Sequence, residues 1–172
     1  MRNSIIALLL LVNIGTANAQ TDSFLTDIEK KWENARTYTL KVAESMPESA
    51  YNFKPTEEEM TFAEQLAHLS GNMLWLSSKF ITANTPAISE KNFTGKSKAE
   101  MIQLINQAFE FTANAFKNFN PDQLNDKIDF AGQKITKRQI ILLIHDHLTH
   151  HRGQIIVYTR LKGVKPPKYI GW

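Results

Sequence analysis

Four of the five histidines, His145, His147, His150 and His151, fall within seven residues of one another in the run His-Asp-His-Leu-Thr-His-His-Arg-Gly-Gln. Neutral imidazole is a ligand for divalent transition metals, and the flanking residues have the apolar spacing of one long helix. A helix turns about 100° per residue, so positions four apart share a face. Ile140, Ile144, Leu148, Ile155 and Tyr158 form the apolar stripe, and His147 and His151 lie along its edge, one turn apart. His145 and His150 point to roughly opposite flanks. The four cannot easily share one ion, and the pair on the core side is His147-x-x-x-His151.

Two imidazoles are too few for a firm site. His68 is the one remaining imidazole and belongs to another helical segment, so the constellation to test is His68, His147 and His151. Three imidazoles without a thiolate, bonding at about 2.0 to 2.1 Å in the zinc case, leave a coordination position for water or substrate, as catalytic centres do. Zinc and nickel both suit such a set. The competing reading is a histidine-rich polar surface, and spacing alone does not separate the two, because i,i+4 histidines also arise by chance. His145-Asp146 as a phosphohydrolase doublet lacks the companion ligands such a site needs.

Four helices must position these groups. The first starts at the caps Thr21, Asp22 and Ser23, follows Leu25, Ile28, Trp32, Ala35, Val42 and Met46, and stops at Pro47. Residues 48–60 read as a loop. Thr61 and Glu64 form a capping box that opens helix two, with Phe62, Leu66, Leu69, Met73, Leu76 and Phe80 inward. His68 lies about 120° from the centre of that stripe, which by itself makes it a surface residue. Glu64, one turn before His68, is a conceivable acid or base, although its capping role accounts for it.

Residues 81–96 have no period and make a long connection. Ser97 and Glu100 cap helix three, with Ile102, Ile105, Ala108 or Phe109, Thr112, Phe116 and Phe119 inward, ended by Asn120-Pro121. A short turn or extended piece is expected around Ile128 to Phe130. Thr136 and Gln139 then cap helix four, which runs through the histidines to Leu161 and stops at Gly163. The basic tail with Pro166-Pro167 reads as a solvated exit.

At the other end, Met1-Arg2-Asn3, an apolar run within Ser4 to Gly15 and Ala17-Asn18-Ala19 have the pattern of a secretory signal peptide cleaved after Ala19. The run is short of the ~20 residues that span a bilayer. Residues 1–19 are therefore expected to be a leader and residues 20–172 one exported domain, periplasmic or secreted, with no stable membrane anchor after cleavage. The chain has no cysteine, which excludes thiolate ligands, a cysteine nucleophile and a lipoprotein anchor. Net charge is +3 with the basic residues dispersed, a poor match to a nucleic-acid partner.

Residues 147–167, His-Leu-Thr-His-His-Arg-Gly-Gln-Ile-Ile-Val-Tyr-Thr-Arg-Leu-Lys-Gly-Val-Lys-Pro-Pro, together with Ala67-His68-Leu69, closely resemble the signatures of the DinB-like superfamily, to which bacillithiol and mycothiol transferases are related. The resemblance covers essentially the whole mature chain. It implies an all-α four-helix bundle with a long crossover between helices two and three, often a homodimer. It also implies a divalent metal on His68, His147 and His151, with Gln154 and Arg160 as groups behind the ligands. The expected function is a metal-dependent enzyme of transferase or hydrolase type acting on a small molecule. The alternative is a non-catalytic, metal-binding or stress-related bundle. The thiol transferases are cytoplasmic, so a thiol cosubstrate fits an exported chain poorly.

Overall fold

The computed structural model describes residues 23–172, and the leader expected at residues 1–19 lies outside them. Four helices, α1 (Ser23–Ser45), α2 (Phe62–Leu76), α3 (Lys98–Lys117) and α4 (Lys137–Leu161), carry the fold. All three expected capping boxes form, at Thr61/Glu64, Ser97/Glu100 and Thr136/Gln139. Each satisfies two amide groups that helix geometry leaves unpaired. α2 ends in a five-residue π turn, Ser77–Ile81, so Phe80 of the expected stripe lies on that turn. α4 stops where Gly163 takes φ +73°.

Side-chain pairings set the helix directions. Lys98 at the start of α3 donates to the carbonyls of Glu44 and Met46 at the end of α1, and Trp32 packs on Phe109 and Phe116 farther along α3, so α1 and α3 are antiparallel. Gln65 meets Gln154, and the Tyr158 hydroxyl donates to the Met60 carbonyl, so α2 and α4 are antiparallel too. α2 and α3 run parallel, with Ala67 beside Met101 at one end and Ser77 bonded to Thr112 farther on. A parallel neighbour can be reached only by a chain that returns the length of the helix, and residues 82–97 do this as the expected crossover.

The expected extended piece is a hairpin, β1 (Lys127–Phe130) and β2 (Gln133–Thr136), with Ile128 opposite Ile135. Its two-residue turn, Ala131-Gly132, has φ of +51° and +79°, the handedness that a tight antiparallel turn demands. Phe130 packs on Trp75 and Phe80, tying the hairpin to the end of α2.

The core is aromatic and fully enclosed: Trp32, Phe62, Phe109 and Phe116 are each at most 1% exposed. The Trp32 indole N–H donates to the Phe109 carbonyl at 3.1 Å. The tail leaves α4 with Lys162, Lys165 and Lys168 exposed, the expected solvated exit. Beyond it Tyr169, 73% exposed, stands edge-on to Tyr38 at 5.7 Å, and Ile170 packs against the core. Among the described residues no helix is long and apolar enough to cross a membrane.

Candidate metal centre

Antiparallel packing of α2 on α4 places His68 opposite the one-turn pair His147 and His151. One ring nitrogen from each lies within 4.8 Å of the others, and the ring centroids are 4.4 to 5.1 Å apart, near enough for side-chain rotation to bring all three onto one ion. The helical wheel puts His68 outside the apolar stripe, and it is indeed only half-buried. Its flank of α2 forms the seam with α4, so an off-stripe position is what delivers it.

The hydrogen bonds behind the rings match metal binding. His151 Nδ1 lies 2.6 Å from Oε1 of Gln65. With Nδ1–H donating to that oxygen, Nε2 keeps a free lone pair. Gln65 is in turn held by Gln154 and by the Tyr158 hydroxyl. His147 Nδ1 is buried with no hydrogen-bond partner among the described residues, and such an orphaned atom costs about 1 to 3 kcal/mol. A ligand bond, or a ring turn that accompanies one, removes that cost, so the three residues fit a divalent ion.

Burial lowers the pKa of His147 to about 4, helped by His68 and His150. Burial also lowers His151 to about 4, with His147, His68 and His150 contributing. Both rings are therefore neutral at neutral pH, the form that binds metal.

The other two histidines stand outside the converging set. The His150 ring is 4.9 Å from that of His151 but is exposed, with Nε2 2.9 Å from the Gln154 amide, and His145 is buried on the far side of α4. Gln154 does stand behind the ligands, through Gln65. Arg160 does not: it is exposed and bonds no residue of the site. Its position, nine residues after His151, turns it off the α2 seam. Glu64 is engaged in the α2 cap, where hydrogen bonds from the Thr61 backbone and side chain hold its carboxyl below the usual range.

Two groups escaped the sequence reading. Gln65 is 2% exposed, and its signal was a polar side chain inside the Phe62, Leu66, Leu69 stripe. Glu90 belongs to the crossover and places Oε1 3.7 Å from His68 Nδ1. It comes so close because residue 71 is glycine: a Cβ there would lie 2.7 Å from Glu90 Cβ. Glu90 also lines a groove of about 1000 Å³ between α2, the crossover and the loop before α2, together with Glu59, Glu64, Trp75 and Ile88. None of the three imidazoles lines this groove, so Glu90 is the link between it and the triad.

Comparison with known proteins bears on the family and the fold. The DinB family model matches residues 19–170. The uncharacterized protein YjoA of Bacillus subtilis is 25% identical over 131 residues, covering 74% of this chain and 84% of that one. The uncharacterized YrdA of the same organism is 23% identical over 150 residues, 83% of this chain and 85% of that one. The crystal structure of the DinB-like YjoA superposes with a TM-score of 0.70, covering 84% of this chain and 97% of the other. A DinB-like protein from Bacillus cereus, 15% identical, shares the fold with a TM-score of 0.73, covering 84% and 96%.

Proposed function

The chain belongs to the DinB family, and we propose that it is an exported metal-dependent enzyme of transferase or hydrolase type, acting on a small molecule through His68, His147 and His151. The observation that carries this reading is the convergence of three imidazoles from two helices, two of them held neutral by burial. Zinc or nickel is the ion proposed.

A divalent ion there would supply Lewis acidity, polarising a substrate oxygen or lowering the pKa of a water or thiol. The chain's own groups supply the rest. Gln65 fixes the His151 tautomer, and α2 and α4 hold the ligands on rigid elements. The Glu90 carboxylate, between groove and triad, is placed to take a proton from a group bound beside His68. Export makes a cytosolic thiol cosubstrate a poor fit and favours hydrolysis.

The test is turnover of an ester, amide and phosphate panel, plus thiol transfer, by the metal-loaded chain and by the His147→Ala/His151→Ala variant. Activity confined to the wild type supports the enzyme. Metal binding with equal background in both supports the second reading, a non-catalytic metal-binding bundle, which the absence of imidazoles from the groove lining favours. Export is tested by N-terminal sequencing of protein recovered outside the cytoplasm, which should begin at Gln20. The homodimer is tested by sedimentation.

A further inference from the structure

α4 carries a second chemistry on the face turned away from the triad. His145, Thr149 and Arg152 recur at four and three residues and make one stripe, about 200° around the helix from His147. They face α1 and the returning tail. With Lys31, Tyr169 and Gly171 they line a partly open pocket of about 90 Å³, whose rim at Thr149 and Tyr169 is exposed.

The groups around this space are mostly donors, and no carboxylate lines it. Arg152 is 6% exposed and His145 7%. The guanidinium reaches the Ala35 carbonyl and the Thr149 hydroxyl at 3.4 Å each and lies 5.2 Å from the centre of the Tyr38 ring. Two long hydrogen bonds and a ring face leave some of its five N–H donors to solvent or to an acceptor in this pocket, and among the described residues no Arg152 nitrogen is both buried and unpartnered. Among the described residues neither Arg152 nor Lys31 makes an ion pair with a carboxylate. His145 Nε2 is buried with no hydrogen-bond partner among the described residues, and Asp146, next to it in sequence, is exposed. Buried charges are otherwise paired or bound to a ligand.

We propose that this cavity binds a small oxyanion, a carboxylate or phosphate head group, between Lys31, Arg152 and the Nε2–H of His145. The volume corresponds to about three waters at ~30 Å³ each, room for one such head group and not for a nucleotide. The planar arginine fork matches paired oxygens, and the Thr149 hydroxyl can donate as well. Tyr169 and Gly171 form one wall, so an occupant would also hold the tail against α1.

The test is thermal unfolding and calorimetric titration of the full chain with acetate and with inorganic phosphate at constant ionic strength. Both are repeated with chelator in the His147→Ala/His151→Ala background, so that binding to a metal ion is excluded. The expected result is saturable, one-site stabilisation by at least one anion, retained in that background. Lys31→Ala, at the half-buried rim, should weaken it about tenfold or more, and Arg152→Gln should abolish it. The anion that saturates identifies the head group. A non-saturating rise shared by all variants, or a response that vanishes with the two metal-site histidines, would overturn the proposal, whatever the outcome for metal binding itself.

Discussion

The Oε1 of Gln65 lies 2.6 Å from Nδ1 of His151, with Gln65 itself 2% exposed. The pair joins α2 to α4 directly behind the triad and determines which His151 nitrogen remains free. Removing the acceptor while keeping the volume, as in Gln65→Leu, should weaken zinc binding about 10- to 100-fold, the usual cost of losing a group that orients a ligand. Gln65→Glu keeps an acceptor for Nδ1–H and should stay within a few-fold of wild type. Competition titration against a zinc chelator reads both, and equal affinities for Gln65→Leu and wild type would show that Gln65 only fills space.

Gly71 and Glu90 form a second coupled pair. In an open helix, glycine to alanine gains about 1 kcal/mol. At position 71 the new Cβ would lie 2.7 Å from Glu90 Cβ, and overpacking of this kind costs about 1 to 3 kcal/mol. The clash wins, so Gly71→Ala should lower the urea midpoint, and Glu90→Gly in the same chain should recover the loss. Additive effects of the two substitutions would contradict a direct contact.

Acid should destabilise the metal-free protein in a defined window. His145, His147 and His151 are each lowered from 6.5 to about 4, in every case mainly by burial. For His145 the charges of Lys31 and Arg152 add to the effect. In the unfolded chain these rings take up protons near their ordinary pKa, whereas the folded chain resists until about pH 4. Between those values the unfolded state binds more protons, so stability is complete above about pH 6.5 and falls steadily toward pH 4. Urea midpoints with chelator at pH 7 and pH 4.5 test this, and His147→Ala/His151→Ala should show a shallower slope.

Trp32 holds α1 to α3 by packing and by its hydrogen bond to Phe109. Trp32→Ala should cost about 3 to 5 kcal/mol with little change in metal affinity, because the tryptophan does not touch the triad. A large loss of affinity in still-folded Trp32→Ala protein would count against that separation.

What could be read in the sequence follows the range of each signal. Capping boxes and apolar periods are local, and Thr61/Glu64, Ser97/Glu100 and Thr136/Gln139 all act where they stand. The His147, His151 pair is also local. His68 was assigned by its residue type and by family resemblance against its helical-wheel position, because only the packing of α2 on α4 shows that its flank is a seam. Glu90 left no trace, since the aperiodic crossover reaches the site through a contact with Gly71. Arg152 and Lys31 come to one pocket only where α4 packs on α1 and residues 169–171 pass beside them, a long-range arrangement with no local sequence signal.

The most direct test of the central claim is the metal content of the purified chain beside its His147→Ala/His151→Ala variant, after equal exposure to zinc and nickel and removal of free metal. The account predicts about one divalent ion per wild-type chain and little or none in a variant that keeps its helical circular dichroism. Equal metal content in the two would contradict it.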